Sequence, residues 1–77
     1  MRLSDLQDKD IINLIDGKKI GKIIDAVIDE NGKISSLIIQ KNKMFSFLPS
    51  NTELEVKWDQ IKTIGSDVIL IYIKNLK

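Results

Sequence analysis

The sequence predicts an all-β fold, a small curled sheet or barrel of about six short strands preceded by one short helical turn. Three observations carry this. Apolar residues come in short runs, the longest being the six residues from Val68 to Ile73, and they are mostly Ile and Val, whose branched Cβ suits a pleated, half-buried surface. Turn-forming strings separate the runs: Asp16-Gly17, Asn31-Gly32 and Gly65-Ser66-Asp67. At least two runs carry apolar residues on both faces, which a curled sheet or a sheet with a partner can bury and an open monomeric sheet cannot.

Taken in order, Ser4 followed by Gln7 fits a reciprocal cap, so a helical turn is expected over Ser4–Asp8 with Leu3 and Leu6 docking on one side. A first strand is expected at Ile11–Ile15, ended by Asp16-Gly17. The second runs from Ile20 to Asp29, its even positions Ile20, Ile24, Ala26 and Ile28 forming an apolar face that Lys22 interrupts, with a bulge or bend at neighbouring Gly21. Asn31-Gly32 then marks a hairpin in which both central residues take positive φ. In the third strand, Ile34–Gln40, Leu37 and Ile39 face one way and Ile34 and Ile38 the other. The stretch 41–52 has no clear period. Leu54 and Val56 alternate with charged residues in a short fourth strand. Trp58 and Ile61, three apart, are expected to share one helical turn and point into the core, leaving Trp58 largely buried. Strands at Lys62–Ile64 and Val68–Lys74 complete the set; in the last, Ile69, Ile71 and Ile73 oppose Val68, Leu70 and Tyr72.

A chain of 77 residues makes one domain with room for one core. Twelve basic residues against eleven acidic give a formal net charge of +1, which supplies no global field for nucleic acid or anionic membrane and disfavours both as partners. No run approaches the ~20 apolar residues of a membrane-spanning helix, and the opening MRLSDLQDKD lacks the apolar core of a secretory signal, so a cytoplasmic location is expected.

The chemistry available is sparse. With no His and no Cys, the commonest general base, the usual zinc ligands and the thiol nucleophile are missing, and neither a nucleophile elbow nor a phosphate-cradling Gly loop is present. No enzymatic activity, catalytic residue, metal or cofactor is expected. Asp29-Glu30-Asn31-Gly32 looks like the middle of a calcium loop, but Val27 occupies a ligand position, and a hairpin turn is the better account. Asp25 and Asp29, four residues apart along a strand, are separated by ~13 Å, too far for an acid/base pair. Partner binding is the remaining chemistry. Lys41, Lys43, Phe45 and Phe47 alternate basic with aromatic side chains, a pattern that tracks single-stranded nucleic acid or caps one end of a small barrel, the second being favoured by the neutral chain. Met44, Phe45 and Phe47, with Leu70 and Tyr72, form a surplus of apolar groups that such a small core does not absorb, and they are the candidate contact for a homodimer or another protein.

The segments DGKKIGKIIDAVIDENGKISSLII and VKWDQIKTIGSDVILI together resemble the PRC-barrel domain. With the opening Met1-Arg2-Leu3-Ser4, the Asp16–Gly21 segment, Trp58 with Ile61 and the Ile64–Ile69 run, the chain is similar to the YlmC/YmxH group of small sporulation-associated proteins of spore-forming Gram-positive bacteria. Lys57 stands where that pattern places Pro. The resemblance implies a single PRC-barrel over residues 1–77, without catalytic residues, acting as a protein-interaction or structural module in sporulation. PRC-barrels also occur in the photosynthetic reaction-centre H subunit and in the ribosome-maturation factor RimM, so a ribosome- or RNA-associated accessory role is the alternative the resemblance implies.

Overall fold

The computed structural model describes residues 1–42 and 53–74. Helix α1 (Leu3–Gln7) is followed by β1 (Asp10–Asn13), β2 (Lys19–Ile28), β3 (Ile34–Lys41), β4 (Glu53–Lys57), a 3-10 turn (Trp58–Gln60), β5 (Ile61–Ile64) and β6 (Val68–Ile71). The strands form one six-stranded sheet in the order β4-β3-β2-β1-β6-β5. Neighbours pair antiparallel except β1 and β6, which run parallel. The edge strands β4 and β5 are consecutive in sequence and joined by the three residues of the 3-10 turn. Laid flat, six strands at ~4.8 Å spacing would hold those edges ~24 Å apart, and so short a connection does not bridge that distance, so the sheet curls until its edges meet at that corner.

Local irregularities produce the curl. Ile11 pairs with Gly21 and Ile12 with Lys19, leaving Ile20 as an extra residue in β2; Ile23 pairs with Ile39 and Asp25 with Ile38, leaving Ile24 extra; Ile61 pairs with Ile71 and Thr63 with Leu70, leaving Lys62 extra. Each insertion sharpens the local twist. Gly21 sits between the first two, as the sequence suggests, and its reason is close approach: a Cβ there would lie 1.9 Å from the Gln40 backbone oxygen.

The concave side is the core. Ile11, Ile20, Leu37, Ile39, Val56, Ile69 and Ile71 are essentially inaccessible, with Ile23 and, from α1, Leu6 beside them. Asn13 shares this side. Its carboxamide accepts from the Ile15 and Ile73 backbone N–H groups at 3.4 Å each and donates to the Ile73 carbonyl at 3.2 Å, tying β1 to the chain beyond β6.

Several expectations are corrected. The N-cap of α1 is Arg2, whose backbone N–H donates to Asp5 Oδ2 at 2.8 Å, in place of a Ser4–Gln7 cap; with the helix starting one residue earlier, Leu3 is exposed and only Leu6 is buried. The extra residue at Ile20 turns Gly21 and Ile23 inward, so Ile23 takes the core place expected of Ile24; the second extra residue, Ile24, restores the expected phase, and Ala26 packs against the core while Ile28, at the hairpin end, is 62% exposed. In the hairpin only Gly32 takes positive φ (82°), and Asn31 does not; Asp29 Oδ1 accepts from the Asn31 and Lys33 backbone N–H groups at 2.9 and 3.0 Å, which closes the turn without a second left-handed residue. Trp58 is 42% exposed, not buried. The chain is already extended at Ile61 (φ −83°, ψ 122°), so the helical spacing that would align Trp58 with Ile61 does not extend to it. Ile61 alone packs against the core.

Candidate functional site

The convex side of β1 and β6 carries the feature that stands out. Inward alternation in β1 places Ile11 and Asn13 in the core, and in β6 Ile69 and Ile71, so the outward residues are Ile12 and Leu14 on one strand and Val68, Leu70 and Tyr72 on the other. The parallel register sets Ile12 beside Leu70 and Asp10 beside Val68. Leu14 continues the ladder past the end of β1, its backbone N–H donating to the Ile71 carbonyl at 2.8 Å, which puts it next to Tyr72. Leu14 and Tyr72 are exposed, and Ile12, Val68 and Leu70 are half-buried. Five apolar side chains thus line a stripe two strands wide on the outside of the sheet.

Lysines bound the stripe on both long sides. Lys19 of β2 pairs with Ile12, and its Nζ lies 3.4 Å from Asp10 Oδ2, with Lys22 Nζ 4.0 Å from Asp10 Oδ1. On the other side the extra residue of β5 turns both Lys62 and Thr63 outward beside Leu70, and the Lys62 ammonium stands 5.9 Å from the Tyr72 ring centroid, within reach of a weak cation–π attraction.

Of the candidate contact residues, the structure brings Leu70 and Tyr72 together on this stripe. Lys41 lies elsewhere: it pairs with Gly21 on the inward side of β3 and is 6% exposed. Lys43, Met44, Phe45 and Phe47 lie outside the described residues. The sequence reading missed Ile12 and Leu14. Their signal is alternation with Ile11 and Asn13, but it becomes legible only once the parallel β1–β6 pairing sets them beside Leu70 and Tyr72. Among the described residues no group of three or more His, Cys, Asp or Glu side chains is placed to hold a metal ion, and no helix is long and apolar enough to cross a membrane.

Known proteins share this chain's pattern over nearly its whole length. The family model of the PRC-barrel domain matches residues 1–77. The probable sporulation protein YlmC of Bacillus subtilis is 41% identical over 71 residues, 90% of this chain and 88% of that protein. The uncharacterised protein YmxH of the same organism is 34% identical over 74 residues, 92% of this chain and 87% of the relative. An uncharacterised protein of Clostridium acetobutylicum is 33% identical over 72 residues, 92% of this chain and 83% of the relative.

Proposed function

This chain belongs to the PRC-barrel domain family, and from that premise we propose that it is a non-catalytic docking module that acts in the cytoplasm of a sporulating cell and binds another protein through the convex face of β1 and β6. The observation that carries the proposal is the continuous apolar stripe of Ile12, Leu14, Val68, Leu70 and Tyr72 on the outside of a single-layer sheet whose inside carries the core. Contiguous exposed apolar surface of this kind marks interaction sites. The name of YlmC supports the sporulation context. Absence of His and Cys from the sequence supports a binding role over a catalytic one.

The stripe also bears on self-association. β6 lies between β1 and β5, so its hydrogen-bonding edges are used, and a homodimer made through β6 would have to form face to face.

The test is capture from extracts of sporulating cells on immobilised full-length chain, wild type beside the double variant Leu14→Lys/Tyr72→Lys. A protein retained by wild type and lost from the variant supports docking at this face. Identical retention by both overturns it, and nuclease-sensitive, salt-sensitive retention of RNA would replace it with the accessory role on RNA. Light scattering across a tenfold dilution reads a homodimer separately.

A further inference from the structure

The docking face has a shape and a charge pattern that narrow what fits it. Along β6 the outward residues Val68, Leu70 and Tyr72 span four residue steps, ~13 Å, and the stripe is only two strands wide. Such an area is smaller than the ~800 Å² per partner of a standard protein–protein interface, so a single segment matches it better than a second folded domain. An amphipathic helix presenting apolar residues at i, i+3 or i+4, and i+7 covers ~10.5 Å along its axis with an overall diameter of ~10 Å.

The long sides of the stripe carry the same sign of charge. Lys19 and Lys22 share the carboxylate of Asp10 between them, which leaves one side with an excess of positive charge, and the opposite side has Lys62 within a strand, Ile61–Ile64, that contains no acid. A second copy of this chain would meet the face with lysine against lysine whichever way a two-fold axis is placed, because both sides are basic. Resting on the docking function proposed above, we propose that the occupant is an amphipathic helical segment of another protein whose apolar stripe is flanked by acidic side chains. Tyr72 and Leu14 receive its apolar residues, and Lys19 and Lys62 receive carboxylates on either flank.

Three synthetic helical peptides with one common leucine stripe and flanks of Glu, Gln or Lys test this against the isotopically labelled full-length chain, with backbone amide shifts as the readout. The Glu-flanked peptide is expected to shift the amides of β1 and β6 and to bind about tenfold or more tighter than the Lys-flanked one, with the difference shrinking as salt is raised. In the double variant Lys19→Glu/Lys62→Glu the order of the two peptides should reverse. Equal affinity for all three peptides, or no shifts with the Glu-flanked one up to millimolar concentration, overturns the acidic partner. The docking function itself fails on a different result: unchanged capture by the Leu14→Lys/Tyr72→Lys variant.

Discussion

On the convex side of β2, β3 and β4 the cross-strand rows are Lys22, Gln40 and Glu53, then Asp25, Ile38 and Glu55, then Val27, Ser36 and Lys57, whereas on the convex side of β1 and β6 every outward position except Asp10 is apolar. Both regions belong to one sheet and share one core. In the first, polar and charged side chains hold most positions, with Ile24, Val27 and Ile38 among them, and Ser36 Oγ donates to Glu55 Oε2 at 2.5 Å. In the second, half-buried apolar residues adjoin one another in two dimensions. Antiparallel hairpins tolerate a solvated face; parallel pairing is usually covered on both sides. Among the described residues parallel pairing occurs only where the first and last strands meet, and the stripe of Ile12, Leu14, Val68, Leu70 and Tyr72 lies over that pair.

The largest effect should come from breaking the strand both regions share. Gly21 pairs with Ile11 on one side and Lys41 on the other, and Gly21→Ala must push the new methyl group away from the Gln40 backbone. A loss of about 3 kcal/mol or more in urea-induced unfolding is expected, a large part of the stability of so small a domain. Next in size is a contrast between adjacent residues of β6. Ile69→Ala should cost about 2–5 kcal/mol, because Ile69 is fully inaccessible, while Leu70→Ala, half-buried on the convex side, should cost about 1–2 kcal/mol. Equal losses would mean that the convex face is a second core in the isolated protein and would erase the comparison.

Smaller still is Trp58→Ala. Its 42% exposure sets an expected loss of about 1–2 kcal/mol, where a buried Trp would give about 3–5; tryptophan fluorescence quenching by acrylamide in the folded state checks the exposure independently. The smallest change in stability, within about 0.5 kcal/mol, is expected for Leu14→Lys, Leu14 being 45% exposed; Tyr72→Lys, 41% exposed and losing the Lys62 contact, should cost about 1 kcal/mol. Thermal melts that move no further than this while capture of a partner is lost would separate binding from folding on the β1–β6 face.

Six strands, their order along the chain and the hairpin at Gly32 were legible in the sequence, because each rests on a local signal: an alternating apolar run or a turn residue with a backbone requirement. What the sequence concealed was phase. Inserted residues at Ile20 and Ile24 exchange the inward and outward members of β2 between them and restore the phase at Ala26, and no composition signal separates Ile24 from Ile23. The same holds at Trp58, where a three-residue spacing looks helical until the extended backbone at Ile61 is known. Gly21 was legible as an irregularity, though only the approach of Gln40 explains it. Of the five residues of the stripe, Val68, Leu70 and Tyr72 are visible in the sequence as one face of the last apolar run. The place of Ile12 and Leu14 beside them depends on a pairing between strands some sixty residues apart, as the Asn13–Ile73 hydrogen bonds show, and such a pairing leaves no trace in local pattern.

That parallel pairing also sets how the domain responds to force. A pull applied through the start of β1 and the end of β6 draws the two strands along their own axes in opposite directions, so the ladder from Asp10 and Val68 to Asn13 and Ile71 is loaded in shear and its hydrogen bonds must fail together. An antiparallel pair pulled from neighbouring ends opens one bond at a time, like a zipper. Forced unfolding is governed by the barrier rather than by the equilibrium, and the side chain of Asn13, bonded to both backbone groups of Ile73, adds a cross-link at the end of that ladder. A domain tethered at its two ends would therefore hold its shape under tension better than its small core alone would suggest.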